Sequence, residues 1–262
     1  MIFKNIIYGL IIGIGFIIPG VSGGVLATIL GIYEEIIYRL NNLFSNFKNN
    51  VLYILPLIIG IIISVLCFSK IILYLLDNKL VFISYVFIGL ILGCIPYLLK
   101  EIKNKTNKSI SIFYFIISFI FGILLFFIEK KSFINNNEPT ILIMILAGVM
   151  YAIGKIFPGI SGAALLMMLG IYEFFLSIVA NPLTINIDII ITFIPFIISF
   201  IISAIIILKL IECLLKNHFR NTYSIIIGFV ISSVLFIYPN YISLINIFVS
   251  ILSFSISYYL SK

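Results

Sequence analysis

Residues 19–24 read PGVSGG and residues 158–163 read PGISGA, an offset of 139. The likeness extends well beyond these six positions. Residues 15–36, GFIIPGVSGGVLATILGIYEEI, and residues 154–175, GKIFPGISGAALLMMLGIYEFF, are identical at 12 of 22 positions. The same offset then relates Pro56 to Pro195, Ser64 to Ser203, Lys70 to Lys209, Asn78 to Asn217 and Gly89 to Gly228 without a gap. Self-similarity at one fixed offset across a half-chain marks a duplication.

The 262 residues are 63% hydrophobic and 10% charged, with several apolar runs near 20 residues long. No soluble domain of this length encloses so much Ile, Leu and Phe, so the expected class is an all-α polytopic membrane protein. Six stretches are long enough to cross the hydrocarbon layer: 52–76, 80–99, 110–128, 189–209, 222–238 and 242–260. The first repeat is placed at 1–128 and the second at 140–262, each opening with a hairpin, at 5–38 and 141–179. The start of the chain, Lys4 followed by NIIYGLIIGIGFII, resembles a signal peptide but leads to no A-x-A-like cleavage site. Its partner segment recurs inside the chain, so it is read as part of the fold.

The hairpins differ from the six spans. Residues 5–18 form about 21 Å of helix, short of the roughly 30 Å of hydrocarbon. A turn in water carries polar residues, whereas this one is flanked by Ile and Phe on both sides. The reading adopted is a re-entrant helix–loop–helix with its tip near the midplane; the competing one is an ordinary pair of spans joined by a Pro-Gly turn. Either kind of hairpin returns to the side it entered, and three spans separate the two. The halves then run in opposite senses, giving an inverted-topology repeat of six spanning helices and two re-entrant hairpins. With the N-terminus on one side, ten basic residues share that side, among them Lys4, Arg39, Lys100, Lys105, Lys216 and Arg220. Lys79, Lys130 and Lys131 fall on the other. The excess makes the first side cytoplasmic, with both termini inside.

In each hairpin Pro ends the entering helix and glycine permits the turn. Ser22 and Ser161 are placed to cap the helix that follows. The candidate anion-binding residues are therefore Ser22, Gly23 and Gly24 in the first copy, and Ser161, Gly162 and Ala163 in the second. Their backbone N–H groups would meet a phosphate at a helix N-terminus. Close helix packing is the competing explanation for the small residues.

Among charged residues, Lys155 lies three positions before Pro158 in a submerged arm, with no acid beside it in sequence. A phosphate is a fitting partner; a water-filled vestibule or Glu173 is the alternative. Lys70 and Lys209 fall near opposite ends of their spans, where they receive and release a headgroup or simply snorkel. Glu34 and Glu173 follow GIY in both copies, as proton-coupling residues or interfacial anchors, with Tyr33 and Tyr172 in the aromatic belt. Cys67, Cys94 and Cys213 show no metal spacing. No cofactor, metal or catalytic residue is expected, and no nucleic acid as partner.

The segments PGVSGGVLATILGIYE, PGISGAALLMMLGIYE, FIGLILGCIP (residues 87–96), LPLIIG (55–60) and FSK (68–70) resemble those of the bacterial polyprenyl-phosphate (undecaprenyl phosphate) transporter family. The resemblance covers most of the chain. It implies a carrier in the bacterial cytoplasmic membrane that returns undecaprenyl phosphate from the outer to the inner leaflet for envelope polymer synthesis; protons and sodium are the candidate coupling ions, and the sequence does not choose between them. Three positions depart from the family: Phe16 stands where Asp is common, Val25 where Thr follows SGG, and Lys155 where an apolar residue is usual. Two rival readings share these features. An anion channel also uses paired helix N-termini. An undecaprenyl-pyrophosphate phosphatase uses duplicated hairpins, but with a P-G-x-S-R-S-G motif whose arginine is missing here, and with tip carboxylates that neither hairpin has.

Overall fold

The structure, a computed structural model, describes residues 2–17, 22–130, 140–172, 174, 175, 178, 187–237 and 243–260. Among these residues there are ten helices and no strand. In chain order they are α1 (Ile2–Ile17), α2 (Gly23–Ile29), α3 (Tyr33–Asn41), α4 (Phe47–Thr106), α5 (Ile112–Lys130), α6 (Ile141–Ile156), α7 (Gly162–Met168), α8 (Ile187–Asn217), α9 (Phe219–Ile237) and α10 (Leu244–Leu260). Among the described residues, three segments are long and apolar enough to cross a membrane, Phe47–Cys67, Ser84–Thr106 and Ile187–Asn217.

Small residues set how these helices pair. The apolar environment supplies no hydrophobic force between helices, so association depends on close backbone approach. Helix α1 lies along the first part of α4, where a Cβ on Gly9 would collide with the Leu57 carbonyl and the Gly60 backbone. The second half repeats this contact with α6 on α8, Gly148 facing the Phe196 carbonyl and Ser199. Gly9 and Gly148, Leu57 and Phe196, and Gly60 and Ser199 each stand 139 apart. The duplication is thus a repeat of packing as well as of letters.

The later helices cross between halves. The second part of α4 packs through Gly89 and Gly93 onto Ser253 and Ser257 of α10, while α9 packs through Gly228 onto Ser118 of α5. These serines remain small partners because their hydroxyls are satisfied locally. Ser118 donates to the Tyr114 carbonyl at 2.9 Å and Ser253 to the Val249 carbonyl at 2.9 Å. Ser257 instead donates across the interface to the Leu90 carbonyl at 2.7 Å.

The stretches 52–76 and 80–99 lie in one continuous helix of 60 residues, α4, within which Phe47–Cys67 and Ser84–Thr106 are separate span candidates. The sequence LLDNKLVF at 75–82 contains neither Gly nor Pro, so nothing there stops helical hydrogen bonding. Lys79 lies within α4. One expectation is corrected: the second arm of the helix–loop–helix expected at 5–38 is not one helix but two, α2 and α3. Gly31 adopts φ 68°, the Gly31 N–H bonds to the Thr28 carbonyl at 3.0 Å, and the Ile32 N–H bonds to the Ala27 carbonyl at 3.0 Å. That pattern is a Schellman stop, and the left-handed position favours glycine. Gly170 repeats it with φ 70° and an Ile171 N–H bond to the Leu166 carbonyl at 3.2 Å. The shared GIY motif is a helix terminator.

Between its two breaks α2 is buried along its whole length. Val25, Leu26 and Ile29 join Ile91 and Leu98 of α4 and Ile226 and Val230 of α9 in the main core.

A candidate functional cleft where the two turns meet

The first turn is organised by Ser22. Its backbone is extended, with φ −94° and ψ 132°, and its hydroxyl accepts from the Gly24 N–H at 3.3 Å. Its carbonyl accepts from the Val25 N–H at 3.0 Å and the Leu26 N–H at 3.3 Å. Several donors at the start of α2 are therefore engaged within the turn itself. Ser161 holds the corresponding place before α7, its carbonyl accepting from the Leu165 N–H at 3.1 Å. In both copies a glycine pair lets the two arms touch. A Cβ on Gly15 would come within 3.3 Å of the Gly23 backbone, and Gly154 stands still closer to Gly162.

The two turns also touch each other. A Cβ on Gly24 would lie 3.1 Å from the Pro158 Cα, and the Ser22 hydroxyl donates to the Phe157 carbonyl at 3.5 Å. Helix α6 ends just before this contact because Pro158 holds Phe157 in an extended conformation, φ −83° and ψ 124°. One orphan carbonyl at that end, Ile156, accepts the Tyr33 hydroxyl at 3.1 Å. Tyr33 is buried, so its expected place in an interfacial aromatic belt is corrected.

Below the meeting point lies a cleft of about 470 Å³. Its walls include Ile12 and Tyr151, Phe16 and Lys155, and Ile61 and Phe200. Each of these pairs is related by the 139-residue offset. Lys155 is the cleft's one charged lining residue among those described. Its ammonium sits 4.1 Å from the Phe16 ring centroid and 4.8 Å from that of Tyr151. Ring quadrupoles attract a cation there but do not neutralise it. No carboxylate pairs with Lys155 among the described residues.

A family model described as "VCA0040-like: Undecaprenyl phosphate translocase-like" matches residues 12–250. The chain belongs to this family. No curated protein and no solved structure matches it. The matched range of this translocase-like chain takes in both turns and every wall of the cleft. With that family and its run of apolar helices, it is a multi-pass membrane protein.

The sequence-predicted residues divide accordingly. Gly23, Gly24 and Lys155 line the cleft, and a Cβ on Gly162 would lie 3.5 Å from the Lys155 side chain. Ser22 is not part of the cleft wall; it precedes the lining Gly23 and bonds to the Phe157 carbonyl. Ser161 faces a separate crevice with Gly122 and Phe229. Lys209 is exposed on α8 and is not part of the cleft wall. Ala163 and Lys70 are helical, but their side chains lie outside the described set, and Glu173 lies outside the described residues. Glu34 sits behind Tyr33, its carboxylate 2.8 Å and 3.0 Å from the Lys105 ammonium and bonded by the Tyr223 hydroxyl. Sequence reasoning singled out neither Lys105 nor Tyr223 as partners of Glu34. The separations of 71 and 189 residues leave no local signal for these contacts.

Proposed function

We propose that this protein carries undecaprenyl phosphate across the bacterial cytoplasmic membrane, from the outer to the inner leaflet, for reuse in envelope polymer synthesis. The observation that carries the proposal is the cleft: apolar walls beneath a single ammonium held by aromatic faces. Its shape and chemistry suit an amphiphile with a prenyl tail and a phosphate head. A phosphate offers Lys155 charge-assisted hydrogen bonds stronger than its ring contacts, while Phe16, Ile61 and Phe200 suit the first prenyl units. The Gly23–Gly24 backbone forms the roof, the Ser22 and Ser161 turns fix it, and Ala163 is assigned to the matching position of the second turn. No bond is made or broken, so the activity is transport and not catalysis. An inorganic-anion channel fits less well, since selectivity for small anions calls for a polar or charged lining.

The pairing of offset-related residues across the cleft favours a pseudo-two-fold arrangement, with the two hairpins re-entrant and opposed in an inverted repeat. Rocking of one half against the other would expose the cleft to each leaflet in turn. Lys70 and Lys209, equivalent residues of the two halves, are assigned to receive and release the headgroup, with both termini cytoplasmic. The test is leaflet-resolved transport of a labelled polyprenyl phosphate in proteoliposomes, comparing wild type with Lys155→Ala and with Lys103→Ala, a change at an exposed lysine of α4. Equal loss in both variants, or in neither, would reject Lys155 as the headgroup ligand.

A further inference from the structure

The cleft is too small for the lipid assigned to it. Its volume of about 470 Å³ has room for about 16 non-hydrogen atoms, at roughly 30 Å³ each. A phosphate with its first prenyl units fills that space. Undecaprenyl phosphate is several times larger, so most of its tail lies outside the walls. Where the tail leaves depends on how the cleft is closed.

Its roof is shut where the two turns meet, since a Cβ on Gly24 would lie 3.1 Å from the Pro158 Cα. Lys155 marks the end beneath that roof. Its ammonium faces Tyr151, whose ring centroid is 5.8 Å from that of Phe200 on α8. Leu208 lines the cleft eight residues further along α8, about 12 Å away. That far end is shut by α3, whose Asn41 side chain donates to the Leu208 carbonyl at 2.8 Å and whose Ile37 and Leu40 line the cleft. Along the sides, every lining residue among those described is buried or half-buried except Ile58 of α4. Ile58 is 44% exposed. Its neighbours one turn before and after, Leu55 and Ile62, are 50% and 51% exposed and do not line the cleft. At Ile58 the cleft wall therefore turns into the apolar outer face of α4.

Resting on the proposed function, we propose that the cleft reads only the phosphate and the first prenyl units, and that the rest of the tail passes Ile58 into the bilayer. The ligand class is then prenyl monophosphates of any length that fills the cleft. Lys155 holds the phosphate at the roofed end, and the apolar walls hold the units next to it. Beyond Ile58 the tail exchanges lipid contacts for the outer face of α4. That exchange brings no net hydrophobic gain, so added length adds no affinity. Ile58 is the specificity-determining residue of the mouth: its size decides whether a ligand can extend out of the cleft, and it does not touch the headgroup end.

The test uses the full chain in lipid nanodiscs and two ligands at equilibrium, geranyl phosphate, which fits inside the walls, and undecaprenyl phosphate, which does not. Each variant is compared with wild type for the same ligand, so membrane partitioning cancels. Ile58→Trp narrows the mouth. Ile59→Trp is the control, since Ile59 is 41% exposed on the same helix and does not line the cleft. In wild type, geranyl phosphate should bind and displace undecaprenyl phosphate. Ile58→Trp should weaken undecaprenyl phosphate about tenfold, the scale of one overpacked side chain, and change geranyl phosphate by less than about twofold. Ile59→Trp should change neither. Equal effects of Ile58→Trp on both ligands, or on neither, overturn the inference and leave the cleft as the headgroup site. So does a wild type that binds undecaprenyl phosphate but not geranyl phosphate, a result that needs no variant to fold. If wild type binds neither ligand, or Lys155→Met binds both as wild type does, the cleft is not the headgroup site and the inference falls with that reading.

Discussion

Replacing Lys155 with methionine should move binding and stability in opposite directions. The ammonium is partly buried, faces two aromatic rings at 4.1 Å and 4.8 Å, and has no carboxylate partner among the described residues. Each ring contributes on the order of 1 kcal/mol of cation–π attraction. Holding an unpaired ammonium away from water costs several kcal/mol. Methionine has a similar length and reach, packs well on aromatic rings and carries no charge to desolvate. The resting protein should therefore gain about 1 kcal/mol or more. The lipid loses its charge-assisted hydrogen bond, worth roughly 1.5–3 kcal/mol, so affinity should fall about 10- to 150-fold. The assay pairs a thermal melt with polyprenyl-phosphate binding by native mass spectrometry, both on protein that is monodisperse by gel filtration. Unchanged affinity would mean that the phosphate sits elsewhere. Lower stability would mean that the lysine has a structural partner, and the reasoning from its lone position would fail.

Three further outcomes follow from the same geometry. Ser22→Ala removes the hydroxyl that accepts from Gly24 and should cost roughly 1 kcal/mol in a chemical-denaturation midpoint, with Ser161→Ala similar. Gly24→Val should do far more, because its Cβ already lies 3.1 Å from Pro158; lipid-phosphate binding should be lost while membrane insertion, read by carbonate extraction, persists. Tyr33→Phe leaves the Ile156 carbonyl without its donor and should cost about 1 kcal/mol, visible as faster amide exchange at the end of α6. Cysteine labelling should find the Lys100–Lys108 region on the cytoplasmic face, and labelling from outside intact cells would reject the proposed orientation.

The duplication and the helical membrane class were legible in the letters alone. Repeat offset and apolar run length are properties of the chain that no docking arrangement alters. Pro158 ending α6 and Ser22 capping α2 were equally legible, since each acts on backbone groups within a few residues. The helix stop at GIY was present as a glycine after a seven-residue apolar helix, but a lone glycine does not show its φ, and Gly31 was read through. The contacts that make a site were not legible at all. Lys155 meets Phe16, Tyr33 reaches Ile156 across 123 residues, and Glu34 finds Lys105 and Tyr223 across 71 and 189. Such pairings depend on how the two halves dock, and docking is set by the sum of many weak backbone approaches at glycine and serine. Residue type therefore indicated that Lys155 needed a partner, and only the packed helices decided which groups Lys155 and Glu34 met.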